Sequence, residues 1–373
     1  MQKLLYIISD DNYFLSHRLG LALAAKDAGY DVSVLTYEND SKYTDIIKSH
    51  GFRFYGFQQR ASGLGVTTNI KLIFQARKVI NQIRPDLIHT VSMRMMFLTT
   101  FAFWLSKSKN MVATLTGMGY LETSKKMLTR MIKWFVTKAF RVMFSARRIH
   151  LVVQNRDDYE GVKGKFINES RLHLVRGSGV NTDDFPFLEL PDSHTIQVTF
   201  VARMLKDKGL IELIEAAKII NDKGIDNVQI NLVGTPHLVN PFSVSEQDLQ
   251  NWQEQGLVKW HGFRSDIVNV WKESHIAILP SYREGLPKSL LEAASCGRPI
   301  ITTDVPGCRE MVKGNNGLLV PVKESMPLAN AIIKLSNDYD LMKSMGQESR
   351  KMVVENFSDQ VVNKQMLEIY SGF

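Results

Sequence analysis

Short apolar runs recur along the chain, bounded by Gly, Asp, Asn or Ser, and stretches between them repeat their apolar residues every three to four positions. That alternation predicts strands joined by helical crossovers, the grammar of a parallel sheet covered on both faces. In the first half the predicted strands are 4–8, 32–35, 52–55, 87–90, 112–115, 149–153 and 172–175. In the second half they are 197–201, 229–233, 258–260, 276–279, 300–302 and 317–320. The prediction is an α/β protein of two doubly wound domains, 1–178 and 190–357. Its seam falls within 176–191, where Gly177, Gly179, Asn181 and two prolines break any period. A last helix near 358–370 follows the completed second sheet, and 358–373 is expected to pack back on the first domain.

A length of 373 residues independently favours two domains, and 44% hydrophobic with 23% charged residues describes a soluble globular protein. Only Cys296 and Cys308 are present, so no disulfide framework is implied and a reducing, cytoplasmic setting fits. The opening apolar run is too short for a signal peptide or a membrane span. The run 95–105 is interrupted by Thr99 and Thr100, and no transmembrane helix is predicted. The net charge of +8 is uneven: residues 1–178 hold 27 basic and 13 acidic side chains, the remainder 19 and 25. A basic first half suggests an anionic partner.

Ligands of open parallel sheets bind at the carboxyl ends of the strands, so the loops there carry the candidate chemistry. After the apolar run 276–279 comes Glu284-Gly285-Leu286-Pro287-Lys288, with Glu292 eight positions beyond Glu284. The order reads strand, tight loop, helix, with Pro287 at the first helical position. First-turn amides, including those of Lys288 and Ser289, attract an anion or a polyol. Two carboxylates there match the vicinal diols of a sugar or a ribose. Taken alone, the pair also reads as a loop charge and a solvated helix residue. The loop after 197–201 brings Arg203 and Lys208 to the same edge, a fork and an ammonium suited to a diphosphate without a metal, or two solvated cations. Gly234-Thr235-Pro236 and His261-Gly262-Phe263-Arg264 end two further strands in compact loops where backbone groups meet a base. His261 by itself reads as structural. Asp338-Tyr339-Asp340 spells a DxD metal pattern, but its surroundings make it a helix start.

These residues resemble glycosyltransferase family 4. The likeness runs through Ala202-Arg203 to Lys208-Gly209, Gly262-Phe263, Pro280 to Pro287, Glu292-Ala293 and Cys296-Gly297-Arg298-Pro299-Ile300, covering nearly the whole chain and strongest in its second half. The resemblance implies the GT-B fold, two facing Rossmann-like domains with the site in the cleft, and transfer of a sugar with retention. It is closest in look to bacterial enzymes extending undecaprenyl-diphosphate-linked saccharides. It implies a UDP-sugar donor, an N-acetylhexosamine or a hexose, and no metal or other cofactor.

Carried over by residue, Arg203 and Lys208 would hold the diphosphate and Glu284 the sugar hydroxyls. Gly285, Leu286 and Lys288 would lie at the sugar and phosphate, Glu292 at the ribose, and Gly234, Phe263 and Arg264 at the base. Arg203, Lys208 and Glu284 are the expected catalytic set. Two first-domain loops depart from the family pattern. The glycine pair common after the first strand is replaced by the run from Ser9 to Arg18, and a histidine common after 112–115 by Thr116-Gly117-Met118. Asn12, His17, Thr116 and Met118 are the candidates on the acceptor side; His89, with Ser92 and Arg94 after it, is placed at the same edge without a role.

Eight cations and no acid lie in 125–148, with Arg130, Lys133, Trp134, Lys138 and Arg141 on one helical face. That face reads as a contact for anionic headgroups or as a solvated surface; it also suits a phosphate backbone, although no nucleic-acid recognition module is evident. The expected partners are therefore a UDP-sugar, a polyprenyl-diphosphate-linked acceptor and an anionic membrane surface, at the inner face of the cell membrane, with no nucleic acid. Two other functions remain compatible with the fold, a nucleotide-sugar 2-epimerase and an inactive nucleotide-sugar-binding subunit.

Overall fold

The computed structural model describes residues 1–58, 65–117, 138, 140–145, 148–237 and 240–373. The chain divides into two units, Met1–Ser178 with Asp359–Phe373, and Gly179–Ser358. In the first unit the elements are β1 (Gln2–Ile7), α1 (Asp11–His17), α2 (Leu19–Asp27), β2 (Tyr30–Tyr37), α3 (Ser41–Ser49), β3 (Arg53–Phe57), α4 (Val66–Ile83), β4 (Leu87–Val91), α5 (Met93–Trp104), β5 (Asn110–Leu115), β6 (Ile149–Val153), α6 (Arg156–Val162) and β7 (Leu172–Leu174). The second has β8 (Ile196–Val201), α7 (Leu210–Asp222), β9 (Val228–Val233), α8 (Glu246–Glu254), β10 (Lys259–Trp260), α9 (Ile267–Lys272), β11 (Ile276–Leu279), α10 (Lys288–Ser295), β12 (Ile300–Thr303), β13 (Gly317–Val320), α11 (Ser325–Ser336) and α12 (Tyr339–Asn356). A final helix, α13 (Asp359–Ser371), returns to the first unit.

Both sheets are parallel throughout, ordered β3-β2-β1-β4-β5-β6-β7 and β10-β9-β8-β11-β12-β13. Every predicted strand is present, with ends moved by at most two residues. The inner strands are apolar at nearly every position because helices cover both faces. In the first unit, α4 and α5 pack one face of the sheet, while α2 and α13 close the other.

Two findings differ from the sequence reading. The stretch read as a seam packs on the second unit: Val180 N–H donates to Phe357 O at 3.1 Å, and Phe185, Leu188 and Leu190 join the second core. Buried Arg298 and part-buried Arg350 pin it by donating to the carbonyls of Thr182, Phe185, Leu188 and Glu189. His89 lies within β4 and is fully buried, with Nδ1 2.6 Å from Tyr370 Oη and Nε2 2.8 Å from Thr114 Oγ1. Tyr6 Oη, 3.1 Å from Tyr370 Oη, completes a polar spine that fastens α13. As expected, Asp338 caps α12 by accepting from Leu341 N–H at 2.9 Å, the helix start its surroundings predict.

Burial, then the charge of Arg18, holds the His89 imidazole well below its ordinary 6.5. His150 stacks on His173 and is pushed down to about 4, chiefly by burial. A base with a depressed folded pKa takes up protons first in the unfolded chain, so its contribution is complete above pH 6.5 and is lost on acidification. The melting temperature should therefore fall steadily from pH 6.5 towards 4, and His150→Asn should shallow that slope. A flat profile in the wild type would contradict the assignment.

Candidate functional site

In the second unit the strand order reverses between β8 and β11, so the loops after these strands flank a crevice at the sheet's carboxyl edge. The β8 loop runs through Arg203 to Lys208, and the β11 loop from Pro280 to Pro287. They are stitched together by backbone, with Tyr282 N–H donating to Asp207 O at 2.9 Å. Lys208 Nζ donates to Glu284 Oε1 at 2.5 Å, and Ser281 Oγ donates to the same oxygen at 2.7 Å. Both side chains of the ion pair keep partial exposure, 19% and 14%. Glu284 Oε2 has no partner among the described residues, and Lys208 retains two further N–H donors. The pair thus presents one acceptor oxygen and a cation to the crevice. Arg203 is exposed, and among the described residues no carboxylate pairs with it.

The neighbouring loops close up on the same edge. Gly234 N–H donates to Gly262 O at 2.7 Å, and Trp260 Nε1 donates to Gly234 O at 2.8 Å. Gly234 has φ +134°, and a Cβ there would stand 2.0 Å from Ala202 O, so the β9 loop approaches the β8 loop only because the residue is glycine. His261 Nε2 lies 3.0 Å from Asn231 Oδ1, a structural placement. Phe263 is 76% exposed. Arg264 is held instead by Asp266 at 2.6 Å and Glu273 at 2.8 Å. Hydrogen bonds to these carboxylates raise its pKa above the ordinary range, while Arg264 lowers Asp266 to about 2. Its charge is committed to tying the loop to α9, a pairing invisible before the turn is formed.

Pro287 is the cap residue of α10, with ψ 112°, and not its first helical residue; its carbonyl accepts the first helical bond, from Leu291 at 3.2 Å. No side chain caps this end, leaving the amides of Lys288 and Ser289 directed out of the helix. Glu292 faces the buried stripe at 8% exposure and pairs with Lys288 at 3.2 Å. Burial raises its pKa above 4.5, against the pull of Lys288. Leu286 packs on the core. The structure therefore gathers Glu284, Gly285, Lys288 and Glu292 along one loop and helix start, with Lys208 of the β8 loop bonded to Glu284; Gly234 packs on Ala202 of that same β8 loop.

Ser281 and the loop after β12 escaped the sequence reading. Glu284 N–H donates to Pro306 O at 3.1 Å, and Thr303 Oγ1 donates to Ser281 O. Ser281 stands three residues before Glu284 at a strand end, a spacing at which a hydroxyl often meets a local acceptor.

In the first unit, Asn12 is exposed on α1, and His17 stacks on Tyr13 at 4.3 Å with Nδ1 2.7 Å from Ser16 Oγ. Asp11 is buried and accepts from Asn39 N–H at 2.7 Å, clasping the loops after β1 and β2. Thr116 is half-buried just past β5; Met118 lies outside the described residues, as do Arg130, Lys133 and Trp134.

A parallel-sheet unit with an anion-ready helix start and a cation–carboxylate pair at its switch point belongs to the doubly wound, anion-binding class of fold. The family Glycosyl transferases group 1 matches residues 182–352, and Glycosyl transferase 4-like matches residues 3–146. The chain belongs to glycosyltransferase family 4 and is a glycosyltransferase. One relative, the N,N'-diacetylbacillosaminyl-diphospho-undecaprenol alpha-1,3-N-acetylgalactosaminyltransferase of Campylobacter jejuni, is 24% identical, covering 96% of this chain and 97% of its own. Another, the UDP-Gal:alpha-D-GlcNAc-diphosphoundecaprenol alpha-1,3-galactosyltransferase of Escherichia coli, is 25% identical over 88% and 86%. The fold is GT-B: Anabaena HepE in complex with UDP superposes with a TM-score of 0.76 at 18% identity, covering all of both chains. Sucrose-phosphate synthase of Thermosynechococcus elongatus gives 0.79 at 19%, covering 100% of this chain and 99% of its own. No helix among the described residues is long and apolar enough to cross a membrane.

Proposed function

We propose that the chain transfers a hexose or N-acetylhexosamine from a UDP-sugar to a polyprenyl-diphosphate-linked saccharide, with retention, while resting peripherally on the cytoplasmic face of the membrane. The observation that carries this reading is the Lys208–Glu284 pair at the β8–β11 switch point, with one carboxylate oxygen left open. Similarity over most of the chain to two enzymes named for undecaprenyl-diphosphate acceptors supports the acceptor class.

In this reading Glu284 Oε2 accepts from a donor-sugar hydroxyl, and Arg203 and Lys208 meet the diphosphate. As the bond between anomeric carbon and phosphate oxygen breaks, negative charge grows on the diphosphate, so fixed cations there bind the transition state more strongly than the ground state. The departing phosphate oxygen takes the acceptor proton on the same face, and no side-chain base is required. The amides of Lys288 and Ser289 add dipolar support. Asn12, His17 and Thr116 serve the acceptor side. The two cations supply the charge compensation, so EDTA should leave the rate unchanged; loss of activity restored by a divalent ion would refute this.

Glu292, on the same reading, accepts from the ribose diol. Glu292→Gln should raise the donor KM about tenfold, the worth of one charge-assisted hydrogen bond. Its folded pKa is raised, so its stabilising contribution is present below pH 4.5 and is lost as pH rises through the folded value. The variant should therefore melt no lower than wild type at pH 8, and the difference should shrink in acid. A lower melting temperature at pH 8 with an unchanged KM would assign Glu292 to the fold alone.

The direct test incubates the purified chain with UDP-hexoses and UDP-N-acetylhexosamines and with polyprenyl-diphosphate-linked saccharides, reading product mass and anomeric configuration. A product of inverted configuration would remove retention. Donor binding without transfer, or isomerisation of the donor, would overturn the reading.

A further inference from the structure

Two helices of the first unit carry large apolar side chains on the face turned away from their sheet. α4 buries Leu72, Ala76, Ile80 and Ile83, yet Ile70 is 47% exposed and Phe74 55%. α5 packs beside α4 on the same core and buries Met95, Met96, Ala102 and Phe103. At its end Phe101, Trp104 and Leu105 remain 46%, 38% and 50% exposed, the two rings in edge contact at 5.6 Å.

The surrounding charge is of one sign. Residues 66–110 contain seven cations and a single acid, Asp86, whose carboxylate accepts from Lys3 N–H. Lys71 and Lys78 flank Phe74 on the exposed side of α4, and exposed Lys107 and Lys109 follow Leu105. Outward rings ringed by flexible cations match the boundary of an anionic bilayer, where apolar groups enter the acyl edge and ammonium groups meet phosphate.

We infer that the outward face of α4 and α5 is the surface by which this chain docks on anionic lipid, with Phe74, Phe101, Trp104 and Leu105 entering the headgroup boundary and Lys71, Lys78, Lys107 and Lys109 against lipid phosphates. The inference deepens the reading of a lipid-linked acceptor and rests on it, and it adds a surface beyond the cationic stretch 125–148.

The test is flotation of the full chain with vesicles of phosphatidylcholine alone or mixed with phosphatidylglycerol. Wild type should partition to the mixed vesicles on the order of 10³-fold more strongly, from about four lysines near the surface at about 1 kcal/mol each. Phe74→Ser combined with Trp104→Ser should weaken binding to mixed vesicles at least about tenfold. Its melting temperature should fall by no more than a few degrees, for the apolar area that Phe74 and Trp104 still bury, and its transfer to a farnesyl-diphosphate-linked saccharide in solution should be unchanged. Lys71→Gln with Lys78→Gln should reduce the preference for phosphatidylglycerol. Flotation of the double serine variant like wild type would overturn the surface. So would a wild-type dimer in sedimentation that the serine pair splits, with no flotation, because a second copy would then cover this face. A wild-type chain that floats but glycosylates no lipid-linked saccharide would defeat the acceptor reading and leave the surface standing.

Discussion

Glu284→Gln should lower kcat for sugar transfer by about 10²- to 10³-fold, the usual cost of removing one preorganised polar contact at a transition state. The amide keeps the shape of the carboxylate but removes the charge that holds Lys208 Nζ at 2.5 Å. Glu284 and Lys208 are only partly buried, so the freed ammonium stays hydrated and the melting temperature should drop by no more than a few degrees. Lys208→Met should cost transfer as much. The double variant should be scarcely worse than either single, because the two groups act as one unit. Single-turnover rates and melting curves of the three variants check this. A Glu284→Gln enzyme keeping more than about a tenth of the wild-type rate would sink the role given to the pair.

Gly307→Ala should remove transfer to a similar extent by a different route, visible in stability. Gly307 has φ +80°, and a Cβ built there would stand 2.3 Å from Glu284 O and 2.7 Å from Gly285 O. The loop after β12 is thus the floor on which the Glu284 loop lies, joined by the bond from Glu284 N–H to Pro306 O. Left-handed strain of about 1–2 kcal/mol adds to an overpacking cost of about 1–3 kcal/mol, so the variant should lose roughly 2–5 kcal/mol of stability or displace the loop. The distinguishing readout is a fall in both melting temperature and donor affinity, where Glu284→Gln moves chiefly kcat. An alanine variant with wild-type stability and rate would show that the β12 loop gives way freely and does not set the position of Glu284.

The strands were legible because each is an apolar run cut off by turn formers, a local signal that any parallel sheet between helices demands. The Glu284 loop was legible for the same reason, since strand, Gly-Leu-Pro and helix follow one another within a dozen residues. The ion pairs of Arg264 were not legible because its partners, Asp266 and Glu273, meet it only after the turn into α9 folds. His89 reads in sequence as the end of a strand, but Tyr370, 281 residues later, buries and bonds it.

What the sequence determined by itself is therefore the alternation of elements, the two-sheet class and the residue types in each strand-end loop, all properties of neighbours along the chain. What the tertiary structure alone decided is which of those loops meet. Lys208 and Glu284 lie 76 residues apart and touch because β8 and β11 pair at the point where strand order reverses. Gly307 comes under Glu284 because β12 pairs next to β11. The outward rings of α4 and α5 emerge only once the inner faces of those helices are covered. Strand pairing is a long-range choice made by the burial of whole faces, and a local window of sequence does not contain it.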